Sequence, residues 1–180
     1  MTMAVPWQTG NIVGPKNALL LTPENCARLL KAAKRPLIVV GANATKASVG
    51  LPNLADYVIR VAKAIKAQVA VSPVLQPHFE RPGSLHVFGL GFEDVTNRLK
   101  DKQWKGFDGK GAYDYVLMIG GVYYFESQML STLKHFAPHV RTVSLDRFYQ
   151  PNATFSFSNM DLDKWKEGLN AMIGELGGRE

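Results

Sequence analysis

The chain has 180 residues, 46% of them hydrophobic and 20% charged, a balance that suits one globular domain with a substantial core and not a disordered or fibrous chain. No apolar run approaches the roughly 20 residues of a membrane-spanning helix, and the opening MTMAVPWQTG lacks the basic flank and apolar stretch of a secretory leader, so a cytoplasmic protein with no membrane partner is expected. The net charge of +6 would suit an acidic protein partner, but the densest basic stretch, residues 98–110, also carries Asp101 and Asp108 and matches no nucleic-acid motif, so no nucleic-acid partner is expected.

In chain order, residues 1–21 read as an irregular arm broken by Pro6, Gly10, Gly14 and Pro15 and ending in three leucines. Residues 22–180 read as one α/β domain. Thr22 is placed to cap a helix with Pro23 at its first position, where a missing N–H costs nothing, and Glu24 complements the helix dipole. Cys26, Ala27, Leu30 and Ala33 form the apolar stripe of that helix, so the single cysteine is read as a core residue. LIVV at 37–40 is a continuously apolar run that suits a strand covered on both faces. Gly41-Ala42-Asn43-Ala44 turns the chain into a second helix, spaced by Leu51, Leu54, Val58, Ala62 and Ile65. Residues 68–72 make the next strand.

From 73 to 112 the pattern thins into prolines, glycines and one short helix at about 93–102. Residues 115–119 are a strand, Gly120-Gly121 a turn, 123–136 a helix and 140–145 a strand ending at Asp146-Arg147. A last helix carries Leu162, Trp165, Leu169, Met172 and Ile173 on one face. Alternating strands and helices predict a doubly wound parallel sheet of about six strands, with helices on both faces.

Catalytic motifs are sparse. Gly89-Leu90-Gly91 lacks the third glycine and the clear preceding strand of a dinucleotide fingerprint and is read as a turn. The four histidines lack metal-ligand spacing, since Pro138 breaks any helix that would align His135 with His139. One cysteine allows neither an internal disulfide nor an all-cysteine cluster, so no metal site is expected. The two strand-end turns are the binding candidates: Gly41, Ala42 and Asn43 in one, Gly120 and Gly121 in the other, with Asp146 as an acceptor for a ribose. The competing reading is that tight β-to-α turns favour glycine whatever they bind, and that Asp146-Arg147 is a surface pair.

KRPLIVVG (34–41), QVAVSP, GFDGKGAYDYVLMIG (106–120), VRTVSLDR and DRFYQPNATFSFSN (146–159) carry a resemblance. The chain resembles the central FAD- or NAD-type domain of thiamine-diphosphate enzymes, a Rossmann-like fold of the DHS-like NAD/FAD-binding kind. It is more closely similar to the epsilon subunits of archaeal carbon monoxide dehydrogenase/acetyl-CoA decarbonylase-synthase complexes. That resemblance implies a non-catalytic subunit paired with a large alpha subunit holding the nickel-iron-sulfur centre, in an alpha2-epsilon2 assembly that interconverts CO and CO2. The role implied for epsilon is to stabilise alpha or to help pass electrons to FAD, which makes FAD the candidate cofactor. The alternative is a stand-alone dinucleotide-binding enzyme such as a sirtuin-like deacylase, whose zinc cysteines are missing here. Residues 73–110 and 148–159, with Phe79, Trp104, Phe107, Phe148, Tyr149 and Phe155, are expected to supply much of the alpha interface, unless those aromatics close the domain's own core.

Overall fold

Continuously apolar segments of four or five residues have no polar face to turn to water, and in the computed structural model they pair into the middle of a sheet. Residues 17–44, 53–80 and 85–177 are described. Their strands are β1 (Leu19–Leu20), β2 (Pro36–Val40), β3 (Gln68–Val71), β4 (Val87–Gly89), β5 (Tyr115–Ile119), β6 (Arg141–Ser144) and β7 (Phe155–Ser156). Their helices are α1 (Pro23–Lys31), α2 (Leu54–Ile65), α3 (Gln76–Phe79), α4 (Phe92–Leu99), α5 (Tyr123–Phe136) and α6 (Leu162–Glu175). All strands run parallel, in the order β1-β7-β6-β5-β2-β3-β4.

The sheet is therefore doubly wound, with β2 and β5 side at its centre and the winding direction reversing between them. Seven strands stand where about six were expected. Leu19–Leu20, taken in the sequence as the end of the arm, lie in the sheet beside β7. The remainder of the arm, including Pro6 and Trp7, lies outside the described residues, as does Leu51. Residues 73–112, which looked irregular, supply α3, the edge strand β4 and α4.

Period-two alternation sorts the strand residues between two cores. Ile38, Val40, Val69, Val71, Leu117 and Ile119 face α1, α2 and α6. Leu37, Val39, Ala70, Val116 and Met118 face α4 and α5. Thr22 caps α1 as its sequence suggests, its hydroxyl accepting the N–H of Asn25 at 3.3 Å. Cys26 sits in the first core, and burial pushes its thiol up to about 12, which leaves it unreactive at neutral pH. Trp165 is wholly buried, its indole N–H donating to the carbonyl of Leu145 at 2.8 Å. That bond ties α6 to the end of β6.

The aromatics of residues 98–113 form a closure of the second core. The Phe107 ring stacks on Phe88 at 4.1 Å and meets Trp104 edge-on at 5.1 Å, and Tyr113 closes the group. Asp108 clamps Arg35 at 2.7 Å, and the Asp114 carboxylate accepts the N–H groups of Lys34 and Arg35. Phe79 is fully buried, and Tyr149 and Phe155 pack against the cores, so of the six aromatics expected at a partner surface only Phe148 is exposed. Phe79 therefore serves the domain's own core, while Trp104, Phe107, Tyr149 and Phe155 are half-buried and pack on apolar neighbours inside the chain. Replacing Trp104 by alanine is expected to lower the unfolding free energy of the free chain by about 2 kcal/mol, part of the range for emptying an aromatic site, since Trp104 is half-buried. Urea unfolding of the variant checks this, and an unchanged midpoint would return Trp104 to the surface.

Candidate functional site

In a doubly wound sheet the ligand crevice opens where the winding reverses, outside the C-terminal ends of the two central strands. Here those ends are Gly41, after β2, and Gly120, after β5. The two turns lie against each other. The N–H of Gly41 donates to the Ile119 carbonyl at 2.9 Å, and the N–H of Asn43 to the Gly120 carbonyl at 3.0 Å. A Cβ at position 41 would come within 2.5 Å of the Gly120 oxygen. Gly120 has φ +72°, and a side chain there would press on Ala44. The glycines are thus required by backbone meeting backbone, and the reversal point is sealed by protein atoms.

Asp146 extends the seal. Its carboxylate accepts the N–H of Gly120 at 2.9 Å and also draws on the N–H of Gly121. Asp146 therefore holds the turn in shape and is not a surface partner of Arg147. Behind it stands Glu126, in the first turn of α5, fully buried and accepting the Ser144 hydroxyl at 2.8 Å on Oε1. Burial, with the Asp146 charge beside it, holds the Glu126 carboxyl well above the usual range. Burial also raises Asp146, against the pull of Glu126 and the glycine N–H groups. Of these two adjacent carboxyls Glu126 is the fully buried one and the one whose charged form is more disfavoured, so a proton shared by the pair is carried on the Glu126 side. Glu126 Oε2 meets no other hydrogen-bond partner among the described atoms, so the Asp146 side chain is the neighbour toward which that proton lies.

The open space lies one strand away. A cavity of about 200 Å³ sits beyond the ends of β5 and β6, lined by Asn43, Gly121, Asp146, Arg147, Gln150 and Trp165, with Tyr123 and Phe148 at its side. Of the residues read from sequence, Asn43, Gly121 and Asp146 line it, while Gly41, Ala42 and Gly120 do not. Arg147 lies over the Phe148 ring at 4.3 Å. Gln150, Arg147, Phe148 and Glu126 were not singled out as site residues. For Glu126 the signal was there: it shares the α5 face of Leu130 and Leu133, four and seven residues on, where a carboxylate has no solvent. Among the described residues no group of three His, Cys, Asp or Glu is placed to hold a metal ion.

Residues 1–173 match the model of a protein family described as CO dehydrogenase beta subunit/acetyl-CoA synthase epsilon subunit. The chain is 37% identical over 171 residues to the acetyl-CoA decarbonylase/synthase complex subunit epsilon of Methanothermobacter thermautotrophicus, covering 95% of each chain. It is 35% identical to the epsilon subunit of Methanothrix soehngenii, over 87% of this chain and 81% of the relative. Epsilon 1 of Archaeoglobus fulgidus is 34% identical, over 83% of this chain and 78% of the relative.

The carboxyl pair makes a pH prediction. A group whose pKa is raised in the folded state contributes its stability fully below its unfolded pKa and loses it as pH rises through the folded pKa. The chain is therefore expected to lose thermal stability as pH climbs above the ordinary glutamate range. Glu126→Gln keeps a donor toward Asp146 and an acceptor for Ser144, so it is expected to flatten that loss. Melting curves across pH 5 to 9 decide it, and parallel profiles for the two proteins would refute the shared proton.

Proposed function

The chain belongs to the CO dehydrogenase beta subunit/acetyl-CoA synthase epsilon subunit family, and we propose that it is the non-catalytic accessory subunit of an acetyl-CoA decarbonylase/synthase complex, seated on and stabilising the cluster-bearing alpha chain. The observation that carries this reading is similarity over 95% of both chains to a protein named as that complex's epsilon subunit. A cysteine locked in the core, with its thiol raised to about 12, supports placing the redox metals on another chain. No helix of the described residues is long and apolar enough to cross a membrane, which agrees with a cytoplasmic assembly. An alpha2-epsilon2 arrangement is part of the proposal.

Electron delivery to FAD is less well supported by the geometry. A dinucleotide's pyrophosphate needs free backbone N–H groups at a strand-end turn. The N–H groups of Gly41, Asn43 and Gly120 are spent on protein acceptors, and about 200 Å³ falls below the usual 300–1,000 Å³ of cofactor sites. Among the described residues these two turns do not fit that group. We assign Asn43, Gly121 and Asp146 to the wall of a ligand cavity, and Gly41, Ala42 and Gly120 to the seam that gives it shape.

The partner surface proposed here starts at the sheet edge. Leu19 and Leu20 are 63% and 64% exposed on β1, and Phe148 is 46% exposed. A groove bounded by Leu20, Tyr149 and Asn159 meets a second bounded by Asn159, Phe148 and Tyr123. An edge strand that no other described strand covers, carrying bare leucines, invites another chain, and Arg147 over Phe148 adds the kind of pair that anchors interfaces. Leu20→Asp is expected to weaken co-assembly with alpha at least about tenfold, roughly 1.4 kcal/mol. The free chain's unfolding free energy should move by no more than about 0.5 kcal/mol, as for other exposed sites. Size-exclusion chromatography of the mixed subunits checks it, and undiminished co-elution would clear this edge of the role. Elemental analysis of the purified free chain is expected to find no stoichiometric nickel or iron, and finding either would overturn the accessory reading.

A further inference from the structure

When helices cross between parallel strands, the strand N-termini and the helix C-termini meet at one end of the domain. Here that end gathers positive charge. Helices α1, α2, α4 and α5 finish there with Lys31, Lys63, Arg98 and Lys134 in their last turns. Their first turns, at the opposite end, hold Glu24, Asp56, Glu93, Asp94 and Glu126. The helix dipole favours this sorting, but its reach ends with the terminal turn. It does not account for Lys34, Lys102, Lys105, Lys110 and Arg141, which are exposed outside the helices, before or at the starts of β2, β5 and β6. Helix α6 departs from the pattern and ends at Glu175.

Three other carboxylates at this end are turned to internal work. Asp108 holds Arg35 at 2.7 Å, which pins the loop of Lys105 and Lys110 to the start of β2. Asp114 accepts the N–H groups of Lys34 and Arg35 at 2.7 and 2.9 Å, and Asp101 accepts that of Gln103 at 2.8 Å. The side chains of Lys34, Lys66 and Lys102 stand in solvent. Register aligns Pro36 with Tyr115, Tyr115 with Arg141 and Leu37 with Gln68, so the cations beside β6, β2 and β3 spread over about 15 Å at about 4.8 Å per strand. Phe136, the last residue of α5, is 65% exposed at the same end, just before the turn into β6. An exposed ring on a cationic surface offers apolar area to bury together with charge that steers an acidic partner. Nucleic acid is the poorer match, because Trp104 and Phe107 pack inward on Phe88 and Tyr113 and leave no row of rings for bases.

We propose that the strand N-terminal end of this domain is a docking surface for an acidic protein segment, which sets carboxylates against Lys34, Lys66 and Lys102 and an apolar side chain against Phe136. The surface is separate from the β1 edge, since β1 and β7 lie outside β6 in the sheet. The inference is independent of the chain's place in a complex.

The test is fluorescence anisotropy with the full chain and two labelled peptides, poly-glutamate and the same peptide with leucines interspersed, beside a single-stranded oligonucleotide. Both peptides are expected to bind, the leucine-bearing one more tightly. Raising salt from about 50 to 200 mM should weaken both at least about tenfold, through screening. Lys34→Glu combined with Lys66→Glu should weaken both peptides at least about tenfold. Lys164→Glu combined with Lys166→Glu makes the same charge change at the opposite end, where Trp165 bonds to Leu145 after β6, and should alter binding less than about twofold. Lys34→Gln with Lys66→Gln guards against misfolding of the reversed pair, and circular dichroism confirms that each variant is folded. Phe136→Ser should abolish the preference for leucine and leave poly-glutamate binding as it was. The proposal is overturned if neither peptide binds saturably at the lower salt, or if both reversed pairs lose binding equally, which marks net charge and not a face. It is equally overturned if folded Phe136→Ser keeps the leucine preference, or if the oligonucleotide binds more tightly than both peptides.

Discussion

Backbone pressed on backbone at Gly41 and Gly120 is the constraint from which the rest of this site follows. Two parallel central strands end side by side, and the chain leaves both through tight turns toward opposite faces of the sheet. Only a residue without Cβ lets those turns close to the 2.5 Å that a side-chain carbon would meet. Once they close, the N–H groups that a doubly wound fold usually offers to a ligand are used internally. The crevice is filled at the reversal point, and the space that remains lies one strand over, between the ends of β5 and β6. A shared fold thus leaves its open space in a different place, because the contents of the turns, and not the topology alone, decide which strand ends stay open.

The carboxyl pair behind the turn serves the same geometry from within. Asp146 gathers backbone N–H groups from the Gly120-Gly121 turn, and a half-buried negative charge that accepts such bonds is well placed. It would still repel a second carboxylate, which is why Glu126 keeps its proton. The arrangement anchors α5 to the end of β6 through Ser144, as the Trp165 indole anchors α6 to Leu145. Both helices that flank the cavity are therefore fixed to the same strand by buried polar bonds, and the cavity walls are set independently of any ligand.

Elements with their own local chemistry were legible in the sequence. Thr22-Pro23 announces α1 by capping, and the unbroken LIVV and YVLMI runs announce β2 and β5, because burial on both faces leaves a pattern inside one segment. Strands β1, β4 and β7 were not legible. Two or three residues carry no period, and Leu19–Leu20 or Phe155–Ser156 become strand only by pairing with a neighbour far along the chain. The site was half legible for a related reason. The glycines and Asp146 stand out as a strand-end set, and three of the six named residues do line the cavity. Their sequence does not reveal whether a glycine N–H faces outward or is spent on the next turn. Gln150 gave no signal, since its burial beside the cavity is a property of three-dimensional surroundings alone.

The outermost pairing of the sheet sets an order of events. Leu19 finds its place only beside Phe155, so the first strand to leave a ribosome is the last that can be laid down. Closing so long a loop for two residues of ladder is costly in chain entropy and returns little. The β2-to-β6 body can assemble while β1 waits, and that edge has the least of its own to hold it. It is there, at the end of the folding path, that another polypeptide arriving during assembly would meet the chain before it is finished.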